Sequence, residues 1–431
     1  MTDGDPATRR EGQFWIGEMN AAPEVTSQFD FPDPLLLIDS TLRKVRYTAG
    51  AVTTIDGFLR IADALAAVGV AHESLNLDWW GESQPNAREL ELCSAIASGG
   101  FGFTTNIYAD TLLGNGASDA VVDPRSAVDV LVGIGAKVMA PGIVPAPDRA
   151  AEARQLEQLA AIVEYGASGG LSFTITLAQV GRRDFAALLR VANRAIELGA
   201  ARIDLMDSTS SLGPEAMRHF VRMFRRGLRA PVPLTMHAHD DFGLAAASAI
   251  AAATAGASPD VSVNGTSYRC GFAALEEVAL SLEVLYGQRT GIQLDRLQAL
   301  SELVARESGV AVPPMKPVVG QYAFLKHTPN DVLQAMQNPS AFPPISGCVS
   351  AEVVGSHVSW VWDRLSSRRM ARQLSENLGY APSDDEVEAV YRRLDAAVGA
   401  IDTYPGWLER AAAEQLCADT LTGLRAPLAS A

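Results

Sequence analysis

The chain has 431 residues, with 35 Lys and Arg against 50 Asp and Glu, so its formal net charge is −15. Apolar residues make up 48% and charged residues 20%, a composition that argues against a mostly disordered chain. The acidic balance, with no basic stripe or tail, argues against a nucleic-acid partner, whose phosphates are met mainly by Lys and Arg. Cys93, Cys270, Cys348 and Cys417 are scattered without a CxxC, which disfavours a disulfide framework or a thiolate zinc site. No run of about 18 apolar residues and no signal-peptide core is present. A soluble, cytoplasmic protein with one large domain and a smaller one is the expectation.

Residues 1–34 are polar and Pro-containing and read as an arm. From residue 35 short apolar runs alternate with stretches of helical period. The runs are Leu35–Asp39, His72–Leu77, Gly102–Asn106, Ala136–Ala140, Leu171–Leu177, Arg202–Asp207, Val232–His237 and Asp260–Asn264. Between them, one helix begins after Thr53 or Thr54 as N-cap and ends at Gly69. Another opens on Asp123 with Pro124 at its first position. Others close at Gly199 and Gly227. Eight strand–helix pairs in roughly 250 residues predict a (β/α)8 TIM barrel over 35–290. An open dinucleotide-binding sheet is disfavoured, because the first strand runs into DSTLRKVRYTAG rather than a G-x-G-x-x-G turn. Residues 291–431 read as a helical subdomain, with a helix opened by Ser383 among acids.

Three stretches carry chemistry. His237 and His239, at the end of strand seven, are spaced to share one face of a strand. At the C-terminal mouth of a barrel they can offer two nitrogens to a divalent ion, with Asp240 and Asp241 placed to orient the rings. A pair of structural histidines is the plainer alternative. At the end of strand one, Arg43, Lys44 and Arg46 create an anion-attracting field, and an Arg there suits a carboxylate. A solvated loop would look the same. After strand eight comes NGTSYRCG, in which Asn264 can offer an amide oxygen to a metal or a substrate and Arg269 adds a cation. An ordinary βα turn is the competing interpretation.

Together these stretches resemble the DRE-TIM metallolyase superfamily, the pyruvate-carboxyltransferase-type barrels, and within it the homocitrate synthase and 2-isopropylmalate synthase branch. That branch reads D-x-T-L-R-D-G-E-Q, H-x-H-D-D-x-G and N-G-x-G-E-R-x-G-N-x-x-L-E-E; here stand DSTLR, HAHDDFG and NGTSYRCGFAALEE. The stretch ELVARESGVAVPPMKPVVGQYAF resembles the branch's entry to its subdomain. The resemblance spans about residues 35–400. It implies an acyltransferase that condenses acetyl-CoA with a 2-oxo acid held on a divalent metal (Zn, Mg or Mn). It also implies a homodimer that exchanges its subdomain. Arg43 would stabilise the oxygen that becomes anionic, and His237, His239 and Asn264 would be metal ligands. Arg46, Glu73, Asn76, Arg182, Asp207 and Arg269 would contact substrate. His327 and Asp331 stand near where the branch carries an acid–base histidine.

The departures are as informative as the matches. The branch's aspartate after the arginine, a metal ligand, is Lys44 here. At ~4 Å and an effective dielectric of 20, each unit charge is worth about 4 kcal/mol, so exchanging a carboxylate for an ammonium is a large change against a dication. Glu73 or Asp78 could replace the lost ligand. Otherwise Lys44 could act as a metal surrogate, or as a desolvated amine forming a Schiff base with a keto substrate, or the barrel could keep the fold without the chemistry. A carbon–carbon lyase or aldolase using Lys44 is the alternative enzyme, and a barrel that only binds a ligand or partner is the alternative outside catalysis. In strand two the branch's glutamate aligns with Glu73 or Asn76, followed by Trp79 and Trp80 at the mouth. In strand five only Arg182 represents E-D-x-x-R, with Thr176 and Gln179 where acids are usual. Asp207 is kept in strand six.

Overall fold

The computed structural model describes residues 8–77, 85–109, 124–402 and 406–426. Asp78, Trp79, Trp80 and Asp123 lie outside them. Two compact units are present: Glu18–Val312, and residues 8–17 together with 313–426.

The first unit is a closed barrel of eight parallel strands: β1 (Ile38–Asp39), β2 (His72–Leu77), β3 (Thr104–Ala109), β4 (Val138–Ile143), β5 (Ser172–Ala178), β6 (Arg202–Asp207), β7 (Leu234–Ala238) and β8 (Ser258–Val261). Each pairs with its neighbour in sequence, and β8 closes onto β1 through Asp260 opposite Ile38 and Val261 opposite Asp39. The short helix α1 (Thr41–Val45) follows β1, and the outer helices follow: α2 (Ile55–Val68), α3 (Ala87–Ser98), α4 (Pro124–Gly133), α5 (Arg149–Ser168), α6 (Phe185–Glu197), α7 (Pro214–Gly227), α8 (Ala245–Ala253), α9 (Leu275–Val284) and α10 (Leu297–Ser308).

Local chemistry sets the helix ends. The side chains of Thr54, Asn86, Asp148 and Asp184 each accept a first-turn backbone N–H, satisfying donors that the helix leaves unpaired. Gly69 ends α2 at φ +103, and a Cβ there would come within 2.4 Å of the Gly291 carbonyl oxygen, so both the backbone angle and the space demand glycine. The inward face of α6 is Leu188, Val191, Ala192 and Ala195, all buried. Burial of each large apolar side chain is worth roughly 1.5–3 kcal/mol, so the strand–helix layer holds the barrel closed.

The barrel unit runs past the expected boundary at residue 290. Helix α10 belongs to it, because Asn264 Nδ2 donates to the Ser301 carbonyl at 3.0 Å, Val52 N donates to the Ser308 carbonyl at 2.9 Å, and Arg60 pairs with Glu307 at 2.6 Å. The arm is also split. Phe14 bridges to Val349 and Trp15 N donates to the Cys348 carbonyl, which ties residues 8–17 to the second unit.

That second unit is not purely helical. Strands β9 (Leu325–Lys326), β10 (Ser359–Asp363) and β11 (Trp407–Glu409) form a small sheet, with α11 (Pro329–Gln337), α12 (Arg368–Asn377), α13 (Asp384–Gly399) and α14 (Arg410–Arg425). The core holds Trp360, Trp362, Met370, Leu374, Val390, Leu394 and Leu421. Ser383 and Glu386 form a reciprocal capping box at the start of α13, as the sequence predicts. No helix among the described residues is long and apolar enough to cross a membrane.

Candidate active site

The turn after β1 is built on two carboxyls. Asp39 Oδ1 accepts the Thr41 N–H at 2.8 Å and Glu73 Oε1 accepts the Leu42 N–H at 3.0 Å, so both serve the open N-terminus of α1. Glu73, expected as a substrate contact, is buried and holds the start of α1 through Oε1. The two residues face each other across the β1–β2 register. Burial pushes Asp39 up to about 6, and burial followed by the charge of Asp39 pushes Glu73 well above the carboxylate range.

Helix α1 aims Lys44 into the barrel mouth, where it is 2% exposed. Its Nζ lies 3.1 Å from His237 Nε2, and His237 Nε2 lies 3.3 Å from His239 Nε2. His237 Nδ1 is 2.6 Å from Asp260 Oδ2, on the adjacent strand and in direct register, while Asp260 Oδ1 accepts from Ser40 Oγ at 2.7 Å. His239 Nδ1 is 3.2 Å from the Gly271 carbonyl oxygen. A carboxylate and a carbonyl only accept, so these partners assign both protons to Nδ1 and leave both Nε2 atoms as acceptors.

Burial, then the Lys44 charge, holds His237 well below the usual histidine range. His239 is depressed by burial, then by His237 and Lys44. Lys44 is itself lowered, by burial and then by Arg43, against the pull of Asp260. Burial moves Asp260 up to about 6.

Aromatic rings close around the amine. Lys44 Nζ lies 4.8 Å from the Phe272 ring centre and 5.3 Å from that of Tyr268. The Phe272 ring is 4.2 Å from the His237 ring and 5.4 Å from the His239 ring. Arg43 stacks over Tyr108 at 4.0 Å, and Tyr108 OH donates to Asp204 Oδ2 at 3.0 Å. Arg202 completes this line through Asp204 at 2.8 Å.

The remaining expected residues divide. Arg46 donates to the Asn76 carbonyl at 2.8 Å and pairs with Glu89, and Asn76 Nδ2 donates to Tyr47 OH at 2.8 Å. These contacts brace the mouth of β2. Asn264 does not face the imidazoles as expected: its Oδ1 accepts from Ser301 Oγ at 2.5 Å and its Nδ2 donates to the Ser301 carbonyl. Asp207 accepts from Leu212 N and Ser211 Oγ, both at 2.8 Å, and so shapes the loop after β6. Arg269 grips Asp241 through two nitrogens, at 2.9 and 2.8 Å, and Arg182 is exposed in the turn after β5. Asp240 and Asp241 do not orient the imidazoles; Asp240 accepts the Ala245 N–H at the start of α8. In the second unit His327 Nε2 is 2.8 Å from Asp363, while Asp331 accepts from Thr328 Oγ1 at 2.7 Å in the first turn of α11. The carboxylate beside His327 is therefore Asp363 rather than Asp331.

A cavity of about 1040 Å³ opens where the strands begin, around His72, Thr104, Ser172, Arg202, Leu234 and Ser258. It is remote from the imidazoles, which lie at the strands' C-terminal ends. A cavity of about 130 Å³ adjoins His239, Asp207 and Phe242. Reactive groups in TIM barrels sit at the C-terminal face, the face on which the smaller space lies.

The resemblance implies a divalent ion here, and the described residues do not make its site. Two imidazole nitrogens converge, but the position of the carboxylate ligand holds a lysine, Asn264 is bound to Ser301, and Phe272 covers the ring pair. No group of three or more His, Cys, Asp or Glu among the described residues could hold a metal.

Asp260 and Phe272 escaped the sequence analysis. Asp260 could have been found from strand register, since it stands directly opposite His237. Phe272 could have been found from the quoted pattern, where its place is the asparagine after the third glycine.

A closed parallel barrel with this histidine-bearing rim defines the class. Residues 35–304 match the HMGL-like family, and the chain belongs to it. It is 32% identical over 376 residues to the homocitrate synthase AksA of Methanopyrus kandleri, covering 86% of this chain and 90% of the relative. It is 31% identical over 369 residues to a probable 2-isopropylmalate synthase of Ignicoccus hospitalis, covering 85% and 87%. Among solved structures, the HMG-CoA lyase of Bacillus subtilis shares the fold at a TM-score of 0.54 and 15% identity, over 66% of this chain and 97% of that one.

Proposed function

We propose that the protein is an acyltransferase that joins an acyl-CoA, acetyl-CoA foremost, to a 2-oxo acid by Claisen-type condensation. Kinship with synthases of this type over 86% of the chain supports the reaction class. The observation that carries the site is the convergence of Lys44, His237 and His239 at one rim, with Arg43 as the next residue of the same helix.

In this reading a base removes an α-proton from the acyl thioester. The carbanion attacks the keto carbon, whose oxygen gains a negative charge. Arg43 and Lys44 are the fixed cations available to that oxygen and to the acid's carboxylate. Water then cleaves the thioester and releases CoA. We assign the proton-transfer role to an imidazole, and His327, paired with Asp363, is the candidate on the second unit. We further infer that the chain works as a homodimer in the cytoplasm.

The test is release of free CoA thiol from acetyl-CoA against a panel of 2-oxo acids. Release that depends on one acid, and that falls at least tenfold in Arg43→Ala, supports the reading. No release with any acid or acyl donor refutes it.

One observation favours a second reading, a carbon–carbon lyase or aldolase. Lys44 is a buried amine held below its usual range, as an imine-forming lysine requires. Borohydride treatment with pyruvate would then leave a mass adduct on Lys44, which Lys44→Ala would lose.

A further inference from the structure

We infer that this site takes no divalent ion, and that the Lys44 amine stands in the ion's place as the cationic donor to His237 Nε2, beside His239. The inference deepens the proposed function by naming what grips the 2-oxo acid, and it rests on that reading only for the ligand's chemistry.

The imidazole pair itself is metal-like. Two nitrogens bonded at about 2.0–2.1 Å to one tetrahedral ion lie roughly 3.3 Å apart, and the two Nε2 atoms are 3.3 Å apart. Two acceptors facing at that distance repel each other unless something positive or proton-bearing meets them. The donor that meets His237 Nε2 is Lys44 Nζ, at 3.1 Å. The Asn264 amide of the neighbouring loop adds no oxygen ligand, because it is committed to Ser301 at both ends.

Charge points the same way. A dication gains most from anionic ligands, and among the described residues no carboxylate is bonded to the Nε2 atoms of His237 and His239 or to Lys44 Nζ. Asp260 acts only through His237, on the far side of the ring. Arg43 and Arg269 add positive potential at Lys44. A single amine asks less of such surroundings than a double charge does. One buried carboxylate balances it, and the faces of Phe272 and Tyr268 stabilise it further.

Lysine and phenylalanine thus form a matched replacement. Lysine supplies the positive charge, and phenylalanine supplies a ring face where the branch pattern has an amide. The chain Asp260–His237–Lys44 fixes the amine's position, leaving its remaining N–H groups for a carboxylate or keto oxygen.

Metal binding decides the matter without reference to turnover. Wild-type protein equilibrated with zinc, manganese or magnesium and desalted is expected to retain far less than one ion per chain, with the same melting temperature before and after a chelator. Lys44→Asp combined with Phe272→Asn restores two oxygen donors beside the imidazoles and is expected to bind about one zinc or manganese per chain, with a rise in melting temperature on loading. One ion per wild-type chain, lost in both His237→Ala and His239→Ala, would overturn the inference. The wild-type measurement stands even where the double variant does not fold. Exclusion of metal without CoA release would sink the synthase reading and leave this one standing; a stoichiometric ion with CoA release would do the reverse.

Discussion

Replacing Lys44 with methionine removes a charge while keeping most of the side-chain volume, and its effect should be read on the histidines. The amine lies 3.1 Å from His237 Nε2. At an effective dielectric of 20, a full charge at that distance disfavours the imidazolium by about 5 kcal/mol, or roughly 4 pKa units. That figure is an upper bound, because Lys44 is itself lowered by burial and by Arg43. Both imidazoles should therefore titrate at least one unit higher in Lys44→Met than in the wild type, approaching but not passing the ordinary value of about 6.5, since burial still opposes charging.

Six histidines are few enough to assign in ring-labelled protein by NMR, with His237→Gln and His239→Gln identifying the two signals. Stability should follow. A histidine depressed in the folded state binds protons more readily when unfolded, so its contribution is intact above about pH 6.5 and is lost as pH falls below it. Lys44→Met should therefore keep more of its neutral-pH stability down to pH 5 than the wild type does. Unchanged titration of both imidazoles would mean that Lys44 carries no charge at the site and would refute the argument.

Asp39 is raised to about 6 in the fold, so its burial is tolerated best when it is protonated, and its cost grows as pH rises from about 4 to 6, reaching about 3 kcal/mol. Asp39→Asn, whose Oδ1 can still accept from Thr41 N, should gain on the wild type by about that much between pH 4 and pH 7 in urea denaturation; a pH-independent difference would count against the raised carboxyl. Gly69→Ala, forced into φ +103 and to within 2.4 Å of the Gly291 carbonyl, should cost more than about 1 kcal/mol in chemical denaturation, and wild-type stability would contradict the close approach. Thr54→Ala should cost about 1 kcal/mol by losing the cap on Gly57 N, with Thr54→Ser recovering most of it.

The barrel was legible in the sequence because strand and helix periods, N-caps and terminal glycines are local signals. Thr54, Gly69, Pro124 and Ser383 stand at the ends they were expected to mark. The rim residues were legible for the same reason: Arg43, Lys44, His237 and His239 occur as short contiguous motifs. What each of them meets was not legible. Asp260 reaches His237 through strand register across 23 residues, and Lys44 reaches it across 193. Asn264, a plausible ligand by type, was claimed by Ser301 on a helix that sequence alone placed in another domain. Sequence fixes which functional groups a segment can offer and how it coils locally. Only closure of the barrel, which sets distances between residues far apart in the chain, determines which lone pairs and charges must satisfy one another.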